Sequence, residues 1–167
     1  MEHLWSPWRM AYLRKEDGSG EPDGCIFCDL PAEQDDARTL IVRRGRLAYV
    51  ILNRYPYNNG HLLVVPFQHT PSLENLDPAT LAEIMALVNE SLAALRAMYG
   101  AEAFNLGANI GAAAGAGIAS HVHMHVVPRW PGDTNFLSTL AGTRVIPEDL
   151  QDTYRLARQH WPGGAAK

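Results

Sequence analysis

Residues 121–130 read HVHMHVVPRW, with Val122, Met124 and Val126 set between His121, His123 and His125. Alternation at period two is the pattern of a β-strand with one buried face. It turns the three apolar residues toward a core. It also places three imidazoles on the opposite side, about 7 Å apart at ~3.3 Å of rise per residue. A chain carrying this segment has to build a sheet around it. The same register narrows the chemistry to metal binding, anion binding, attack on a substrate, or a histidine-rich solvated face.

The neighbouring segments supply that sheet. TLIVR (39–43), RLAYVIL (46–52) and HLLVVP (61–66) read as strands, and AFNLGANI (103–110) as a further one. NRYPYNNG (53–60) holds Pro56 and Asn59-Gly60, which is turn chemistry, so the second and third segments form a hairpin with a long tip. One helix is expected from Pro78 to Tyr99. Asp77 suits its N-cap, Pro78 its first position and Gly100 its stop. Leu81, Ile84, Met85, Val88, Leu92, Leu95 and Tyr99 make its apolar stripe, read as core. A shorter helix is expected over 147–160, and GAAAGAGIAS (111–120) as a loop. Strands, then helix, then strands points to an α+β fold, an antiparallel sheet with helices packed on it. At 167 residues, one domain is expected: a 1–24 extension, a core over about 25–130 and a C-terminal segment, 131–167.

Charge and hydropathy remove several partners. A formal net charge of −4 leaves no basic footprint for nucleic acid. No apolar run approaches the ~18–20 residues that cross a bilayer. MEHLWSPWRMAYL carries an acidic residue directly after Met1 and lacks a basic-then-apolar leader, so a cytoplasmic location is expected. The two cysteines, Cys25 and Cys28, form a C-x-x-C pair. In a reducing compartment that spacing reads as half a metal site or a redox pair. The redox reading asks for a βαβ setting, which the sequence lacks.

Among the roles open to the histidines, nucleophilic attack fits its surroundings best. A neutral imidazole is available near pH 7 without activation. One ring nitrogen attacks phosphorus if the other is held as N–H by an acceptor, and the phosphoramidate so formed is itself reactive. His123, flanked by an imidazole on either side, is the expected attacker. A catalytic tri-histidine metal site would ask for second-shell carboxylates, and none lies nearby in the sequence. The glycines of NIGAAAGAGIAS, among them Gly115 and Gly117, allow close backbone approach to a ligand.

The pattern His121-Val122-His123-Met124-His125-Val126-Val127 resembles the motif of the histidine triad (HIT) superfamily of nucleotidyl hydrolases and transferases. NRYPYNNGHLLVVP resembles that family's nucleotide-binding hairpin, and NLGANIG the segment before its triad. With CIFC, the resemblance spans roughly residues 25–130. WSPWRMAYL and VVPRWPGDTNF are similar to the bacterial branch that includes diadenosine tetraphosphate phosphorylases.

The resemblance implies a sheet of about five strands with one long and one C-terminal helix, and a homodimer whose sheets join. It implies an adenine dinucleotide substrate cleaved at the α-phosphate through a nucleotidyl-His123 intermediate, with inorganic phosphate favoured over water as acceptor. His125 and His61 would contact phosphates, the His121 carbonyl would hold the His123 tautomer, Asn53 would bind ribose, and Asn109 would lie near the phosphates. It further implies a structural zinc on Cys25, Cys28, His69 and His121. Where family members carry Gln or Ser four residues before the triad, this chain has Gly117, so that contact is either missing or made by backbone N–H. A phosphoramidate hydrolase or a nucleotide sensor without turnover remain the alternatives.

Overall fold

The computed structural model describes residues 24–133 and 148–164; the N-terminal MEHLWSPWRMAYL and the last three residues of VVPRWPGDTNF lie outside them. Five strands are described: β1 (Ile41–Arg44), β2 (Ala48–Leu52), β3 (Leu62–Pro66), β4 (Ala103–Gly107) and β5 (Met124–Arg129). They form one antiparallel sheet in the order β1-β2-β3-β5-β4. Among the described residues four α-helices accompany it: α1 (Ile26–Ala32), α2 (Asp36–Thr39), α3 (Pro78–Tyr99) and α4 (Leu150–Gln159). This is the α+β sheet-and-helix architecture that the sequence predicts. The helices α1 and α2 are additions to it.

The long helix has the expected bounds. The Asp77 carboxylate accepts from the N–H groups of Ala79 and Thr80, and Gly100 closes the end in a left-handed conformation. Its buried face differs from the stripe read in the sequence: Thr80, Ile84, Leu87, Val88, Ser91, Ala94 and Leu95 are buried, while Met85 is 49% exposed. Ser91 and Ala94 are the small members of that buried face. Ser91 satisfies its hydroxyl on the Leu87 carbonyl at 2.7 Å. The helix α4 docks beside β1, with Arg158 reaching the Val42 carbonyl and Trp161 donating to Glu90.

Register decides which side chains share the other face of the sheet. Leu63 pairs with His125, Gly107 with His125 and Asn105 with Val127. Asn53 continues the β2–β3 ladder through its N–H to the His61 carbonyl. Because side chains alternate along a strand, Asn53, His61, His125, Arg129 and Asn105 fall on one face. Phe104, of opposite parity, lies beneath the Arg96 guanidinium on the α3 side.

The histidine segment is less regular than its alternation predicts. The β5 ladder starts at Met124, so His121 and His123 precede it, tied in by the Val122 N–H to the Thr70 carbonyl. Nor is their face solvated. Phe27 of α1 packs on both rings, with centroids 5.6 Å from His121 and 4.9 Å from His123, and both histidines are buried. The covering helix carries the CIFC stretch, to which the sequence reading assigned no element.

Candidate active site

Hydrogen bonds fix the tautomer of each imidazole in turn. The Tyr57 backbone N–H donates to His61 Nδ1 at 3.0 Å, and the Asn53 amide approaches the same atom at 3.2 Å. Nδ1 is therefore the acceptor, so the His61 proton resides on Nε2. That nitrogen lies 2.9 Å from His125 Nδ1 and donates to it. The His125 proton is thereby placed on its own Nε2. Burial, followed by the neighbouring charges of His125 and His123, pushes His61 down to about 3, so it stays neutral at physiological pH.

His123 has the complementary arrangement. Its Nδ1–H donates to the His121 carbonyl at 2.9 Å, which leaves the Nε2 lone pair for an incoming electrophile. Burial lowers its proton affinity, a trend that the carbonyl bond partly opposes. The rings of His123 and His125 lie 4.9 Å apart, and Tyr57 stacks on His125 at 5.7 Å with 13° between planes. A lone pair on His123 Nε2 and an N–H on His125 Nε2 thus belong to adjacent rings.

Behind His123 lies a metal-competent cluster. One ligand atom each from Cys25, Cys28, His69 and His121 lies within 4.8 Å of the others. His121 Nε2–H donates to the Pro66 carbonyl at 2.9 Å, so the Nδ1 lone pair faces the thiols. Its distances to Cys25 and Cys28 Sγ are 3.3 and 3.6 Å, and Cys28 Sγ is 3.4 Å from His69 Nδ1. Zinc bonds of ~2.3 Å to sulfur and ~2.05 Å to nitrogen set tetrahedral S···N edges of about 3.6 Å. The four residues therefore fit such an ion as a closed, structural site.

Beside His125 opens a cleft of ≈ 390 Å³ lined by Tyr57, Asn105, Asn109, His125, Val127 and Arg129 among others. That is within the ~300–1,000 Å³ range of small-molecule sites. The HIT domain family matches residues 34–132 of the chain, triad and hairpin included. The chain belongs to the HIT family. AP-4-A phosphorylase of Mycobacterium tuberculosis is 40% identical over 166 residues, covering 96% of this chain and 85% of that protein. The asymmetrical bis(5'-nucleosyl)-tetraphosphatase of Schizosaccharomyces pombe is 32% identical over 54% of this chain and 49% of its own length. Among solved HIT structures, a zinc-bound histidine triad protein from Mycobacterium smegmatis superposes with a TM-score of 0.67 at 31% identity. It covers 83% of this chain and 93% of its own.

Against this HIT frame, the structure gathers His61, His121, His123 and His125 and sets Asn53 against His61. Asn53 also accepts from the Tyr55 N–H at 2.9 Å, so it forms an Asx turn as well. Asn109 lines the cleft. Gly115 and Gly117 do not line it, and the Gly115 N–H is engaged by the Ala112 carbonyl within its own turn. Sequence reasoning missed Phe27, Tyr57 and the Pro66 carbonyl. Tyr57 sits in the hairpin tip and acts through its backbone and ring, and only Pro66 carried a signal, as the end of an apolar run before the metal-competent His69.

Proposed function

We propose that this HIT-family enzyme cleaves dinucleoside polyphosphates at the α-phosphate through a nucleotidyl-His123 intermediate. The observation that carries the reading is the His123 Nδ1–H bond to the His121 carbonyl, which presents Nε2 as the attacking atom. In the first step Nε2 forms a bond to the α-phosphorus, and the bond from phosphorus to the bridging oxygen breaks. The departing polyphosphate oxygen takes the proton held on His125 Nε2. An acceptor oxygen then attacks the same phosphorus, the P–N bond breaks, and its electron pair returns to His123. Its proton passes back to His125.

Inorganic phosphate is the acceptor we favour, on the 40% identity to AP-4-A phosphorylase across almost the whole chain. His61 keeps His125 in the donating tautomer. Asn53 would meet ribose and Asn109 the phosphates, and the backbone of the Gly115–Gly117 loop would approach the nucleotide. Cys25, Cys28, His69 and His121 would hold zinc, which when bound cross-links the chain around His121. Free thiols suit a reducing, cytoplasmic setting. An exposed edge strand β4, with Leu106 and nearby Ile110 on the surface, supports pairing with a second copy.

The test is product analysis on diadenosine tetraphosphate with and without inorganic phosphate. ADP plus ATP, formed only with phosphate, is expected, and His123→Ala should abolish it. AMP plus ATP regardless of phosphate would overturn the acceptor. Full activity in His123→Ala would overturn the mechanism.

A further inference from the structure

On the histidine face of β5, Arg129 lies four residues beyond His125, roughly 13 Å along the strand. Its guanidinium is not at that distance. Nη1 donates to Asn105 Oδ1 at 2.8 Å, and Asn105 pairs opposite Val127. The side chain therefore folds back along the strand to the level of Val127, about 7 Å from the level of His125. Both residues line the same cleft as His125.

Arg129 is held there from behind. Nε and Nη2 make a bidentate pair with Asp133 Oδ2 and Oδ1, at 2.6 and 2.8 Å. The Asp133 side chain is only 8% exposed. It also accepts from the Asn58 amide at 2.9 Å and from the Trp130 N–H at 3.3 Å. An ordinary i,i+4 surface pair contributes little and moves freely. Here one buried carboxylate fixes a guanidinium and the hairpin tip together. Of the five N–H groups of Arg129, these bonds among the described residues engage three, leaving one on each terminal nitrogen. Asn105 gives its oxygen to Arg129 and lines the cleft, and its amide nitrogen is a donor.

We propose that Arg129 and Asn105 form a subsite for a phosphoryl group distal to the one attacked by His123, with Asp133 as the positioning residue. The inference rests on the triad binding an α-phosphate, as proposed above. With that phosphate at the histidines, a polyphosphate running along β5 toward Arg129 brings a distal phosphate, not the adjacent one, to the level of Val127. Two sources share this chemistry: the distal phosphates of the leaving nucleotide, and the incoming inorganic phosphate. A planar, pre-oriented guanidinium beside an amide suits a phosphate oxygen pair.

The experiment uses the full chain and two readouts. Calorimetry compares AMP with ATP binding, and steady-state kinetics gives the KM for inorganic phosphate. In Arg129→Gln, either the gain of ATP over AMP shrinks or the phosphate KM rises. The expected change is about tenfold or more, the scale of one charge-assisted hydrogen bond. AMP affinity stays at the wild-type value, which also reports an intact fold. A lost ATP preference alone assigns the subsite to the leaving group, a raised phosphate KM alone to the acceptor, and both to a shared site. Asp133→Asn should give the same pattern in weaker form, with Arg129→Lys restoring part of the loss. Unchanged ATP preference and unchanged phosphate KM in Arg129→Gln would overturn the subsite, as would an equal loss of AMP affinity. Failure of the functional reading looks different: wild-type protein would release no nucleotide from diadenosine tetraphosphate, while the AMP-against-ATP comparison would still report on the subsite.

Discussion

His123 Nδ1 and the carbonyl oxygen of His121 are joined by a 2.9 Å hydrogen bond, and the imidazole of that same His121 stands 3.3 Å from Cys25 Sγ. One residue thus serves the candidate nucleophile with its backbone and the metal-competent cluster with its side chain. Anything that fixes the His121 ring also fixes the carbonyl that selects the His123 tautomer. The Pro66 carbonyl does part of this on Nε2, and a metal on Nδ1 would complete it.

Cys28→Ser tests that coupling. The wild-type chain is expected to carry one zinc per chain by elemental analysis, and the variant to lose it. Tm should fall, by about 2–4 °C for each kcal/mol lost at this chain length. The kcat should drop more than the nucleotide KM rises, because the carbonyl and not a substrate contact is disturbed. A metal-free variant with wild-type Tm and kcat would show that the cluster is incidental.

His61 sets an acid limit on stability. Its folded value of about 3 lies below its ordinary value near 6.5, so unfolding takes up a proton anywhere between the two. Stability is therefore complete above pH 6.5 and declines as the pH falls toward 3, at ~1.4 kcal/mol per pH unit for this one group. Urea unfolding at several pH values checks the slope. His61→Gln should flatten it by about one proton; an unaltered slope would mean that His61 is already charged in the native protein.

Much of this site was readable because the signals were local. The period-two histidines, the caps Asp77 and Gly100, and the turn chemistry around Asn59-Gly60 each act within a few residues, and each has its expected place. What escaped was set by distant packing. Met85 fits the helical stripe but is exposed, while the smaller Ser91 and Ala94 are fully buried on α3. The 121–123 stretch alternates like a strand, yet Phe27, nearly a hundred positions earlier, covers it. Arg129 belongs to an otherwise ordinary β-strand end until Asp133 and Asn105 hold it over the cleft.

Glu83 gives a prediction on stability alone. Its carboxylate leaves α3 to accept the N–H groups of Leu47 and Ala48 at 2.7 and 3.2 Å, closing the β1–β2 turn. Removing it strands two backbone donors at the sheet. Glu83→Ala should cost about 1–3 kcal/mol, the desolvation scale of an unmet polar group. Thermal or urea unfolding reads this directly, and the KM for nucleotide should not move. A loss below a few tenths of a kcal/mol would mean that water replaces the carboxylate.

Gly60 joins the hairpin tip to His61 and is the more severe test. Its φ is +73°, and a Cβ there would lie 2.7 Å from Leu95 Cδ2 and 2.9 Å from Tyr99 Cε2. Gly100 has a similar φ of +60° but nothing within 4 Å of a Cβ, so it isolates the backbone component. Gly100→Ala should lose about 1–2 kcal/mol from the left-handed conformation alone. Gly60→Ala should lose that plus about 1–3 kcal/mol of overpacking against α3. It should also raise the nucleotide KM, since the strain is relieved most readily by shifting His61 off His125. Equal losses in the two variants, with KM unchanged in both, would show that Leu95 and Tyr99 give way and that the hairpin is not braced by the helix.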